Sequence, residues 1–83
     1  MTIKNIRKAL AKTYESWELQ ATTYRKYNVN HNFFDDMFST MTFIGQLLIA
    51  SGEFDNTIFN ELYAEAKAEK ERMNAIVRGE IEA

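Results

Sequence analysis

The chain has 83 residues, no cysteine, no proline and a formal net charge of −2, from 10 Lys or Arg against 12 Asp or Glu. That length holds one domain, and the missing cysteines exclude disulfides, thiolate nucleophiles and cysteine-ligated metal centres. Hydrophobic residues make up 46% of the chain, enough to fold, and with glycine only at Gly45, Gly52 and Gly79 there is little to interrupt long helices.

Thr2 is a good helix N-cap. After it Ile3, Ile6, Leu10, Tyr14, Trp17, Ala21 and Tyr24 recur at spacings of three and four, the mark of one apolar helix face. The first helix is expected over about 3–27, roughly 37 Å long at ~1.5 Å per residue. The run Asn28-Val29-Asn30-His31-Asn32 ends it, because asparagine tolerates the left-handed conformation used at helix C-termini.

A second helix is expected over about 32–51, with Asn32 as cap and with Asp35 and Asp36 in the first turn, where the helix dipole favours negative charge. Its apolar arc is broad and takes in Phe33, Phe34, Met37, Phe38, Met41, Ile44, Leu48 and Ile49, so it should touch two neighbours. Ser51-Gly52 closes it. The third helix is expected over about 56–78. Asp55 is its cap, Phe54 and Phe59 have the spacing of a hydrophobic staple, and Ile58, Leu62, Ala66, Met73, Ile76 and Val77 form its stripe. Gly79 ends it, and residues 80–83 are expected to fray.

Connections of four to five residues make consecutive helices antiparallel. The expected fold is therefore an all-α, three-helix up-down-up antiparallel bundle in a single domain, 1–83. The alternative is a helical hairpin with a projecting third helix completed by a dimer partner. The expected core is Ile6, Leu10, Trp17, Phe34, Phe38, Met41, Leu48, Leu62, Ala66 and Met73. Charge is segregated. Residues 1–26 carry six Lys or Arg against two Glu, residues 27–66 carry six acids and no Lys or Arg, and residues 67–83 balance. In an up-down-up bundle Arg25 and Lys26 approach Asp35 and Asp36, and the basic first turns of the first helix approach Glu53 and Asp55. Glu69 interrupts the third stripe. It is expected either to accept a hydrogen bond from Tyr14 or Trp17 or to bend its carboxylate into water.

No constellation of a positioned nucleophile, acid, base or cofactor loop is recognisable, so the protein is read as not an enzyme, with no catalytic, cofactor or metal site. His31, the single histidine, is expected as an exposed loop residue; with Asp35 four residues on it supplies two ligands, too few for a metal. The function expected is that of a small protein–protein interaction module: an adaptor, inhibitor or assembly factor of the accessory type that phages also encode. Its partner is another protein or a second copy of itself. Leu19, Phe43 and Leu47 lie off the core stripes and are the candidate interface residues. The alternative is a nucleic-acid-associated regulator that uses the ridge Lys4, Lys8 and Lys12, at i, i+4 and i+8; the acidic balance, with pI near 5.3, weighs against it. The N-terminal residues lack the apolar run of a signal peptide, and the most apolar stretch, Met41 to Ala50, is half of what a membrane span needs. A cytoplasmic protein with no membrane partner is therefore expected.

Overall fold

The computed structural model describes residues 2–83, and these form three helices: α1 (Ile3–Lys26), α2 (Phe34–Ala50) and α3 (Asn56–Val77). No strand occurs among the described residues. The molecule is elongated, 42 × 18 × 16 Å, its long axis set by the 24 residues of α1.

Local capping chemistry fixes each helix end. Thr2 accepts from the Asn5 N–H at 3.2 Å, and the Asp55 carboxylate accepts from the Thr57 and Ile58 N–H groups at 2.7 and 3.2 Å. The Phe54 and Phe59 rings close the staple at 5.7 Å. All three C-termini use the same device: a residue with positive φ (Asn28, Gly52 or Gly79) turns the chain, and the following N–H reaches back five residues. Those bonds are Val29 to Tyr24, Glu53 to Leu48 and Glu80 to Ala75, at 2.8–2.9 Å.

The bundle is up-down-up, as expected, and its ion pairs fix the level of α3 on α1. Arg7 reaches Glu61 and Glu65, and Arg72 donates to Glu18 at 2.6 Å, so α1 and α3 run parallel. The expected pairing of Arg25 and Lys26 with Asp35 and Asp36 is absent among the described residues, as is that of the α1 start with Glu53 and Asp55. Arg25 turns instead toward Gly79, and Lys26 lies over the Tyr27 ring at 5.5 Å.

The core is built from Ile6, Leu10, Tyr14, Trp17 and Ala21 of α1, Met37, Met41, Ile44 and Leu48 of α2, and Leu62, Ala66, Met73 and Ile76 of α3, with Phe33 at one end. Two expected core residues, Phe34 and Phe38, are instead exposed, at 49% and 59%. The reason is a phase shift at the start of α2. Phe33, not Phe34, fills the space beside Trp17 and Tyr24, with ring centroids 6.0 and 6.2 Å apart. A buried polar clamp holds it there. The Phe33 N–H donates to Asn74 Oδ1 at 3.0 Å, and Asn74 Nδ2 donates to Asn32 Oδ1 at 3.2 Å. Asn32 Oδ1 also accepts from the Phe34 N–H, so Asn32 precedes the helix rather than opening it. With Phe33 fixed inward, the residues that follow it into the core are Met37, Met41, Ile44 and Leu48, and Phe34 and Phe38 turn about 100° away.

Glu69 does not take the first course expected of it, and its side chain, 28% exposed, reaches water only in part. No hydrogen bond links it to Tyr14 or Trp17. Its carboxylate lies 3.4 Å from Arg72 Nε, with Oε2 buried and outside hydrogen-bond geometry. The Tyr14 hydroxyl is likewise buried without a partner. Its pKa is pushed up to about 12, first by burial and then by the nearby Glu65 and Glu69 carboxylates.

Candidate protein-contact surface

α3 is the spine of the bundle: it packs along both α1 and α2, while α1 and α2 barely meet. Gly45 helps α2 lie close on α3, since a Cβ there would come within 3.3 Å of the Phe59 ring. Away from α3, the gap between α1 and α2 is an open groove of about 340 Å³. Ile6, Leu10 and Ile44 form its floor. Ala9 and Thr13 stand on the α1 rim; Ser39, Thr40, Phe43 and Leu47 stand on the α2 rim. The Thr13 hydroxyl donates to the Ala9 carbonyl at 3.0 Å, which occupies its polar atom within the helix. Most of this surface is apolar, and the rim of α1 is low.

α2 carries a second unusual property. Residues 37–52 contain no charged side chain. Uncharged side chains on every side of a helix are the pattern of a helix surrounded by protein. Here one face is covered by α3 and the core, and the others are open. Phe43 is 59% exposed on the groove side, and Phe34, Phe38 and Ile49 are exposed on the side beyond α3. Phe34 and Phe38 stack at 6.3 Å with Lys70 Nζ 5.7 Å from the Phe34 ring.

The structure brings two of the three candidate interface residues together. Phe43 and Leu47 share the groove wall, Leu47 half-buried against the core. Leu19 stands apart, 72% exposed beside Glu15 and Glu18. Lys4, Lys8 and Lys12 all lie exposed on α1, and among the described residues none has a carboxylate oxygen within 4.0 Å. No family model, curated protein or solved structure matches the chain. The case for this surface therefore rests on its own residues.

The other sequence candidates resolve differently. His31 is not a free loop side chain: it packs between Tyr24 and Phe33, with ring centroids 4.6 Å away on each side. Its Nε2 lies 2.9 Å from Asp36 Oδ2, so its partner is Asp36 and not Asp35. This contact ties the α1–α2 turn to the first turn of α2. Among the described residues no three His, Asp or Glu side chains converge as metal ligands, and no helix is long and apolar enough to cross a membrane. Sequence reasoning missed Phe34, Phe38 and Ile49 as surface residues. The available signal was the width of the apolar arc of α2, which exceeds what one neighbouring helix can cover.

Proposed function

We propose that the protein is a non-enzymatic protein–protein interaction module whose working surface is α2 together with the groove between α2 and α1. One observation carries this reading: the sixteen charge-free residues 37–52, most of them in α2, which still exposes Phe34, Phe38, Phe43 and Ile49. Isolated exposed apolar residues are ordinary, but a helix apolar on several faces in so small a domain is a surface built to be covered. Burying Phe43 and Leu47 is worth roughly 1.5–3 kcal/mol each when fully removed from water. Such a module acts by occupying or bridging a partner, as adaptors, inhibitors and assembly factors do.

The reading is tested by photo-cross-linking in the native host, with benzoylphenylalanine in place of Phe43 and, as control, in place of exposed Lys67 of α3. The proposal expects discrete protein adducts from position 43 and few from position 67. Equal, diffuse labelling from both positions would count against it.

A further inference from the structure

We propose that the outward face of the first half of α1, which carries Lys4, Lys8 and Lys12, is a docking surface for an acidic protein segment presenting carboxylates about 6 Å apart. This face lies on the side of α1 away from the groove. The inference goes beyond the reading of α2 as a contact surface, and neither depends on the other.

The chain leaves this ridge unpaired. Lys4, Lys8 and Lys12 are all exposed, at i, i+4 and i+8. By ~100° per residue, Lys8 lies roughly opposite the stripe of Ile6, Leu10 and Tyr14 that enters the core. Among the described residues, none of the three lysines has a carboxylate oxygen within 4.0 Å. Three arginines are treated differently: Arg7 reaches Glu61 and Glu65, Arg72 reaches Glu18 and Glu69, and Arg78 reaches Glu80. The ridge also works against its own helix. α2 opens on Asp35 and Asp36 and α3 on its capping Asp55, so both place negative charge at the positive end of the helix dipole. α1 has an uncharged cap and no acid in its first turn. Lys4 stands in that turn, and Arg7 and Lys8 stand in the next. The α3 carboxylates offset Arg7, but nothing in the chain offsets Lys4 and Lys8. A local rule obeyed by two helices and broken in the third, without internal compensation, is the pattern of a surface kept for contact.

The spacing and surroundings of the lysines name the chemistry of the partner. Successive lysines stand about 6 Å apart on the helix, and the ridge is about 12 Å long. Glutamates at every fourth position of a helix, or acids at alternate positions of a strand, match that repeat. Lysine meets a carboxylate as a point charge on a flexible stem, with no fork geometry to satisfy. Three features favour a short protein segment over a nucleic acid. Glu15 is exposed and follows Lys12 on the same face, so a polyanion running along α1 meets repulsion after three contacts, whereas a short acidic segment ends before it. No aromatic side chain stands among the lysines to stack on a base, and the one guanidinium there, Arg7, is engaged by Glu61 and Glu65. The chain as a whole is acidic, with pI near 5.3.

The test uses the intact chain and a fluorescein-labelled helical peptide with Glu at every fourth position, read by anisotropy at low and at physiological salt. Binding is expected, weakening with salt, and it should be absent for the same peptide with Gln in place of Glu. Lys4→Gln with Lys8→Gln should weaken it about fivefold. Lys26→Gln with Lys67→Gln, an equal change of net charge at exposed positions elsewhere, should alter it by less than about twofold. The free chain gives a second readout: Lys4→Glu should raise Tm by about 2–6 °C while weakening the peptide complex. A peptide that does not bind at low salt, equal weakening by the two double variants, or a Lys4→Glu chain that melts at or below wild type would each overturn the proposal. A single-stranded oligonucleotide that binds more tightly than the peptide, and loses affinity in the Lys4→Gln/Lys8→Gln variant, would overturn it in favour of a nucleic-acid contact. None of these outcomes bears on cross-linking from position 43, so the failure of one surface is separable from the failure of the other.

Discussion

Asn74 is the residue whose loss should be felt most for its size. It is 7% exposed, and its amide satisfies the Phe33 N–H and engages Asn32 Oδ1. Asn74→Leu keeps the branched, four-heavy-atom shape and slightly favours the helix, but leaves the Phe33 N–H buried with no acceptor. A buried unsatisfied donor costs about 1–3 kcal/mol, and the lost bond to Asn32 adds about 0.5–1.5 kcal/mol, so about 2–4 kcal/mol is expected. For a domain of this length that is a fall in Tm of roughly 10–20 °C. Urea unfolding followed by circular dichroism gives the free energy, and hydrogen exchange reads the Phe33 amide itself. Asn74→Asp keeps the acceptor for Phe33 while replacing the donor to Asn32 by a charged oxygen, so it should cost stability yet retain Phe33 protection relative to Asn74→Leu at neutral pH. The clamp argument fails if Asn74→Leu costs less than about 0.5 kcal/mol, or if the Phe33 amide exchanges equally slowly in wild type and variant.

Tyr14→Phe removes a buried hydroxyl that has no partner, and should stabilise the fold by about 1 kcal/mol in the same urea assay. It should also change the alkaline limb. The folded pKa of Tyr14, about 12, lies above the ordinary tyrosine value of 10.0, so the native state holds a proton that the unfolded state releases. Stability from this group is full below pH 10 and is lost as pH rises from 10 through 12; the slope there should flatten in Tyr14→Phe. Gly79→Ala forces a side chain onto a φ of +76°, where it also meets the Arg25 guanidinium, and should cost about 1 kcal/mol by thermal melt. Charge reversal of Lys4, Lys8 and Lys12 tests the alternative function: the interaction reading expects no salt-dependent DNA binding for that triple to abolish, by electrophoretic shift at two salt concentrations.

The helices were legible because their ends are written locally. Thr2, Asp55, the Phe54–Phe59 pair, Gly52 and Gly79 each act through neighbours a few residues away, and each sits in the structure where the sequence places it. The phase of α2 was not legible. Six apolar residues crowd its first two-thirds and Phe33 precedes it, so periodicity alone allows either Phe33 or Phe34 to face inward. What decides is Asn74, some forty residues on, through a hydrogen bond that no local pattern announces. The up-down-up order was correctly anticipated, but partly for a reason that fails: the expected pairs at the α1–α2 ends do not form, and Arg7 and Arg72 fix the register instead. Of the contact surface, Phe43 and Leu47 stood out because their spacing departs from the core stripe. The groove beside them did not, because the sequence has no way to say that α1 and α2 stay apart while both lean on α3.

The most direct test of the contact surface is solvent paramagnetic relaxation with a soluble gadolinium chelate, read on the Phe43 ring, the Leu47 methyls and the Leu19 methyls of the purified chain. A contact surface on this groove predicts that Phe43 and Leu47 become shielded when the protein captured through position 43 is added, while Leu19 stays exposed throughout. Phe43 relaxing as fast as Leu19 both with and without that protein would contradict it.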